Sequence, residues 1–335
     1  MKRLYCLFII ILCLDISIPS YAQFTINGKH IIYDKQNDTY MACIPEDAFG
    51  KDYEAIILLD IASDWSDLSI DGTQIAYSYT FKQVEGNKLY SIHARKGNKE
   101  INTKITFTFL PLLVLQGSFG YDYAQGSMSL YSSDATEPTI SLIKAKWRGG
   151  STNTADKHKR NYKIKTLNEK GKSQDISLLG MREDNNWILD AGQIDLFRLR
   201  NRIATEVWND FATKPYYTSK EPKAKSGVAG KVVEVILNNE YRGIYSLTEA
   251  MDRKELKLKK YDDKNQEFHG QLWKVSSWDK STFWDIEKDY DNTQETWHAF
   301  ETKYPDIEDV NPTDYSPLYE AIDFVANSND ETFKK

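Results

Sequence analysis

The stretch "KWRGGSTNTADKHKRNYKIKT", residues 146–166, packs basic residues around a glycine pair in a chain that is otherwise acidic. From Lys144 to Lys172 there are ten Lys/Arg against two acids, although the whole protein of 335 residues carries a formal charge of −6. In an extended strand alternate side chains share a face. Lys159, Asn161, Lys163 and Lys165 therefore line one side of "KRNYKIKT", while Tyr162 and Ile164 lean the other way. Three ammonium groups along one face are costly unless solvent or an anion opposes them. The preceding Arg148, Gly149, Gly150 and Ser151 add a guanidinium, a bend whose backbone can approach a ligand closely, and a hydroxyl. A strand, a Gly/Ser turn and a Lys-bearing strand suit a polyphosphate. The same pattern also suits a lysine-protected edge strand. The turn is no Walker motif, because no Lys-Ser/Thr pair closes it.

The segments around this stretch differ in character. From Phe24 to about Thr136 short apolar runs alternate at period two and break at "NG" (27–28) and "DG" (71–72), which predicts strand after strand. That spacing suggests an immunoglobulin-like β-sandwich over 23–136, and "SSDATEPT" (132–139) reads as the linker after it. Beyond the linker, "TISLIKAKWRGG" and "KRNYKIKTLN" predict two strands around the glycine turn, and "QDISLLGM" another strand. A helix over 193–211 follows from Ile194, Phe197, Ile203, Val207 and Phe211 recurring at helical spacing, with Asp190 or Asp195 as its cap. Two strands, Val232–Leu237 and Tyr241–Thr248, join through "NNEYRG", and further helices are expected at 293–302 and 316–328.

The first residues combine Lys2 and Arg3, an apolar run from Leu4 to Leu14, and small residues Ser20 and Ala22. They read as a secretory signal peptide, 1–22, so the protein is expected outside the cytoplasm, secreted, periplasmic or on the cell surface. No later stretch is expected to span a membrane, since "FTFLPLLVLQG" is short and interrupted by Pro111. Cys43 is the single cysteine beyond the leader and reads as a buried thiol, not a nucleophile. An acidic chain is a poor partner for nucleic acid, and the five scattered His show no metal-ligand spacing.

Taken together, "KWRGGST…KHKRNYKIKT", "NNWILDAGQIDLFRLRNRIATEVW", "VVEVILNNEYRGIYSLTEAMDRKELKL" and "GQLWKV" resemble, in order, the spore coat protein H (CotH) family of atypical kinases, from about Thr139 to Val275. The resemblance implies a divergent kinase-like fold and transfer of the γ-phosphate of ATP to Ser/Thr of a partner protein, with Mg²⁺ or Mn²⁺. It implies that Arg148, Gly149 and Ser151 form the turn near the nucleotide, that Lys159, Lys163 or Lys165 binds phosphate, and that Asp195 or Glu206 orients the lysine. Glu249 then meets the nucleotide's edge. Family members continue into a helical lobe carrying the catalytic Asp and the metal-binding Asp/Asn. The sequence is expected to stop before that lobe, with "FWDIEKDYD" as an acidic loop in place of it, so no catalytic or metal residue is assigned.

The expected fold class is thus α+β: the sandwich, then over 137–335 a kinase-like small lobe of antiparallel sheet plus helix and the start of a truncated helical lobe. The competing reading is a non-catalytic cell-surface protein that recognises glycan or protein through the sandwich and the aromatic tail (Trp273, Trp278, Trp284, Trp297).

Overall fold

The computed structural model describes residues 24–59, 66–154, 156–277, 279, 282–284, 286–307, 310 and 312–334. The expected leader 1–22 lies outside these residues, as do Trp278, Asp285 and Lys335.

Ten strands precede residue 110 among the described residues: β1 (Phe24–Ile26), β2 (Lys29–His30), β3 (Ile32–Asp34), β4 (Thr39–Cys43), β5 (Tyr53–Leu59), β6 (Ser66–Ile70), β7 (Thr73–Gln74), β8 (Ser78–Phe81), β9 (Tyr90–Lys96) and β10 (Lys99–Thr108). They form two sheets, β2-β1-β5-β8 and β3-β4-β10-β9-β6-β7. Alternation at period two sends one side of each strand into a shared cluster with Ile57, Phe81, Tyr90, Ile105 and Phe107 at its centre. Phe81 meets Tyr90 and Phe107 edge-on at 4.9 and 4.8 Å, a geometry aromatic quadrupoles favour.

The next elements are β11 (Leu112–Gly117), β12 (Ala124–Tyr131), β13 (Thr139–Arg148), β14 (Asn161–Leu167), β15 (Asn186–Asp190), α1 (Arg200–Phe211), β16 (Gly230–Leu237) and β17 (Glu240–Glu249). Their strands follow the order β11-β12-β13-β14-β15-β17-β16 and close a barrel. β11 and β12, grouped by sequence with the N-terminal strands, pair instead with β13 and β16. Two compact units divide the chain: the described parts of Met1–Trp147, Thr166–Ser173 and Val232–Tyr245, and those of Arg148–Lys165, Gln174–Lys231 and Ser246–Lys335.

In the first unit Leu113, Leu115, Met128, Leu130, Ile143, Ala145, Val233 and Val235 are buried at every second position. The β16/β17 connection turns on Asn238 and Asn239, both with positive φ, the conformation a two-residue hairpin needs. Cys43 is buried with a free thiol, and burial pushes its pKa up to about 11, so it is inert, as expected.

In the second unit Tyr162 and Ile164 of β14 are buried while Lys163 and Lys165 are only partly covered, which is the alternation expected at those positions, whereas Asn161, expected on the lysine face, is buried. The helix starts at Arg200 and not at 193, because Arg198 has a φ of +64°. The N-cap position is held by Leu199, which offers no side-chain cap, so neither Asp190 nor Asp195 stands there; Asp195, four residues earlier, accepts from the N–H of Phe197 (3.1 Å) and of Arg200 (2.9 Å), the first helical residue. The apolar stripe of α1 is not buried: Ile203, Val207 and Phe211 are more than half exposed, and the buried residue is Arg202. Polar contacts hold the helix instead. Arg202 Nη2 and Asn209 Nδ2 donate to Val228 O (3.2 and 3.1 Å), and Trp208 Nε1 donates to Ser226 O (2.9 Å).

"QDISLLGM" forms only an isolated bridge, Ile176 to Asp184, because Leu179 and Gly180 take positive φ and bend the chain. Near the C-terminus β18 (Leu272–Val275), β19 (Thr296–Trp297) and β20 (Phe300–Tyr304) form a three-stranded sheet, followed by α2 (Ser316–Asn327) and α3 (Asp330–Phe333). The helix expected at 293–302 is therefore a β-hairpin. Trp297 and Phe300 pack with Tyr315, Leu318 and Ile322, and Trp273, Tyr290 and Tyr319 lean on them. Each large side chain fully buried in this way contributes roughly 1.5–3 kcal/mol.

Candidate functional site

β13 ends at the exposed Arg148, and Gly149 bends the chain with a φ of +105°. A Cβ at Gly149 would lie 2.2 Å from Thr152 Oγ1, so the bend closes only around glycine. The chain then makes a short 3-10 turn, Ser151–Asn153. Asn161, the first residue of β14 and 8% exposed, fixes this turn. Its Nδ2 donates to Thr152 Oγ1 (3.2 Å), and its Oδ1 accepts from the N–H of Ala191 (2.7 Å) just after β15. Arg160 Nη1 adds donations to Asn153 Oδ1 (3.2 Å) and Thr154 O (2.6 Å). One buried asparagine thus links the glycine bend, the foot of β14 and the end of β15.

Lys159 lies two residues before β14, half-buried at this same place. Burial, and then the charge of Arg198, pull its pKa down to about 8, with Asp190 opposing. Both neighbours are held in position. Asp190 Oδ1 accepts from the N–H of Gly192 (3.0 Å), and Arg198 Nη1 donates to Gly192 O (2.8 Å) and Gln193 O (2.7 Å). A desolvated ammonium beside a guanidinium is a place where a second anion lowers the energy. Lys163 and Lys165 sit farther along β14, opposite Ile188 and Asn186. At about 3.3 Å per residue they recede from the bend. The acid whose charge reaches Lys159 is Asp190. Of the two acids expected for that task, Asp195 accepts from the N–H of Arg200, and Glu206 pairs with Arg202 Nε at 3.2 Å.

Glu249 is placed elsewhere, at the end of β17 opposite Trp187, the far end of β15 from the bend. It is 1% exposed. Its oxygens accept from the N–H of Arg182 (2.9 Å) and of Ala229 (2.9 Å), with Lys225 Nζ at 3.4 Å. Burial alone would raise its pKa, but these donors and the nearby cations hold it below the usual carboxylate range. The Arg182 guanidinium pairs with Asp184 and Glu255, meets Asp252 Oδ1 at 3.2 Å, and donates to Ala250 O at 3.1 Å. Lys254 Nζ completes the knot on Asp184 Oδ1 (2.8 Å) and Asp175 (3.2 Å).

The structure therefore ties the bend of Arg148, Gly149 and Ser151 through Arg160 and Asn161 to the foot of β14, which Lys159 precedes, leaves Lys163 and Lys165 along the strand, and puts Glu249 in a separate buried network. Sequence reasoning missed Asp190, Arg198 and Asn161 as partners of the bend. The strand β15 has no counterpart in the sequence reading, although the apolar run Trp187–Leu189 of "NNWILDAG" is a strand signal. For the knot the local sequence offers only the Arg182–Asp184 pair, since the partners Asp252 and Glu255 lie about seventy positions from Arg182.

Among the described residues no group of three or more His, Cys, Asp or Glu is arranged to hold a metal ion, so the Mg²⁺ or Mn²⁺ expected by resemblance has no fitting ligand set there. The bend does fit phosphate: its glycine admits no side chain, its flanks carry Arg148 and Ser151, and Lys159 lies at its base. No curated protein matches the chain. Residues 145–335 match the family described as CotH kinase protein. This covers more than half of the sequence and includes the bend, Lys159, Glu249 and the Arg182 knot, so the chain belongs to the CotH kinase family.

Proposed function

We propose that this protein is an exported CotH-type phosphotransferase whose Gly149 bend binds the phosphates of ATP, the group destined for Ser/Thr of a partner protein. Export is supported by the leader pattern of residues 1–22. The element order supports a kinase-like small lobe: a glycine bend between β13 and β14, a third strand β15, a helix α1, and the β16/β17 hairpin. Protein kinases use that order to set a Gly-rich loop, a strand lysine and a helix acid around phosphates. Here β15 reads Asn-Trp-Ile-Leu-Asp and carries no lysine. The cation is therefore assigned to Lys159, oriented by Asp190. When bound, ATP supplies the phosphoryl group and ADP as leaving group. Lys159 neutralises phosphate charge, Arg148 offers a planar donor, and the backbone of the bend approaches without a side chain in the way.

The observation that carries this reading is the half-buried Lys159 ammonium at the foot of a bend only glycine can make. Thermal unfolding with millimolar ADP tests it. Saturation at ten times Kd adds about 1.4 kcal/mol, which raises Tm by a few degrees in the wild type and not in Lys159→Ala. No shift in the wild type, or an equal shift in the variant, rejects the assignment.

A further inference from the structure

A second cleft, of about 340 Å³, lies in the same compact unit. Lys223, Lys225 and Lys257 line it together with Arg182 and Glu255, and none of the residues of the glycine bend takes part. Lys223 and Lys225 are exposed and Lys257 is half-buried, whereas Glu255 is 2% exposed.

Two independent features point to an occupant. The first is Glu255. Its Oε2 pairs with Arg182, but its Oε1 is buried without a hydrogen-bond partner, and so is Arg182 Nε beside it. Buried polar atoms left open are rare in folded proteins, and one on a cleft wall calls for a donor from whatever fills the cleft. The second is charge. Lys225 is shared with Glu249 at 3.4 Å, but among the described residues Lys223 and Lys257 have no ion-pair partner. Burial and the charge of Glu249 raise the proton affinity of Glu255, and Lys225 and Lys257 oppose them. Arg182 and Lys225 are matched by their own carboxylates, so Lys223 and Lys257 are the surplus charge at the cleft, and two positive charges leave room for a dianion.

We propose that this cleft binds a small phosphate monoester. Lys223, Lys225 and Lys257 hold the phosphate, and a hydroxyl or amino hydrogen of the organic part is donated to Glu255 Oε1. The volume suits a phosphorylated sugar or a nucleoside monophosphate, the two sources of this chemistry. The inference does not depend on Lys159.

Isothermal titration of the intact protein with inorganic phosphate, ribose 5-phosphate and AMP tests it, on the wild type, on Lys159→Ala and on the double variant Lys223→Ala/Lys257→Asn. Asparagine is chosen at 257 because that residue has a φ of +53°. The expected result is an ester that binds wild type and Lys159→Ala alike, binds tighter than inorganic phosphate, and loses at least tenfold in the double variant. Binding of AMP alone assigns the site to nucleotides, and binding of ribose 5-phosphate as well assigns it to the phosphorylated sugar.

The proposal is overturned if neither ester binds, if inorganic phosphate binds as tightly as both, or if the double variant keeps wild-type affinity. Loss in Lys159→Ala with retention in the double variant also overturns it, and leaves the glycine-bend reading intact. Should the double variant fail to fold, Lys223→Glu at an exposed position provides the same comparison, with at least a tenfold loss expected and unchanged affinity overturning the proposal.

Discussion

Two places in the second compact unit concentrate charge, and they treat it in opposite ways. Around Arg182 nearly every charge is answered: Asp184, Asp252 and Glu255 surround the guanidinium, Lys254 covers Asp184, and Glu249 takes two backbone N–H groups and Lys225. At the glycine bend a cation is desolvated beside a second cation. Lys159 is half-buried, feels Arg198 more than Asp190, and loses its proton at about 8. Matched buried charge holds segments together, whereas a cation desolvated beside a guanidinium gains from an added anion. Both places are rich in basic residues, so composition does not separate them. What separates them is that carboxylates surround Arg182, whereas Lys159 is desolvated beside Arg198.

The largest effect that can break this contrast is Arg182→Met. It strands three carboxylates, two of them nearly inaccessible, and should cost about 3–5 kcal/mol by denaturant unfolding. A loss below 1 kcal/mol would mean that the knot is not structural. Next is Gly149→Ala, which meets both the +105° φ and the 2.2 Å approach to Thr152. It should cost about 1–3 kcal/mol and abolish the ADP-induced rise in Tm.

The pH dependence of Lys159 sharpens the difference further. A bound phosphate keeps its proton on, while the free amine loses it through about 8, so affinity for ADP should fall about tenfold from pH 7 to pH 9. Without ligand the sign for stability is the reverse. The unfolded amine holds its proton to near 10.5 and the folded one releases it at about 8, so this residue makes stability rise with pH between those values. Lys159→Met removes that rise. The smallest effect belongs to Lys163→Ala and Lys165→Ala, expected to change stability by less than about 0.5 kcal/mol and to leave the ADP shift in place.

How much of this could be read from the sequence follows the range of the interactions. β13, β14 and the β16/β17 hairpin were legible because period-two alternation and the Asn-Asn turn are local signals. The bend was legible from its glycines. The helix at 193–211 was overextended because periodicity counts Ile194 and Phe197 without sensing the left-handed Arg198. "TWHAF" was read as helix although Trp297 and Phe300 serve a hairpin, since a run this short suits either period. Asp190 as the partner of Lys159, and the Arg182 knot, were illegible because strand pairing and long-range ion pairs create them. The burial of Glu249 was illegible too, since nothing in its neighbours announces two backbone N–H groups from distant loops.

The way α1 is fastened has a consequence for motion. Arg202, Trp208 and Asn209 tether it to the carbonyls of Ser226 and Val228, while its aliphatic side chains stay in water. Detaching the helix therefore exposes little new apolar surface, so its opening should be nearly insensitive to urea. Its amides should exchange hydrogen well before those of the strands on either side of it.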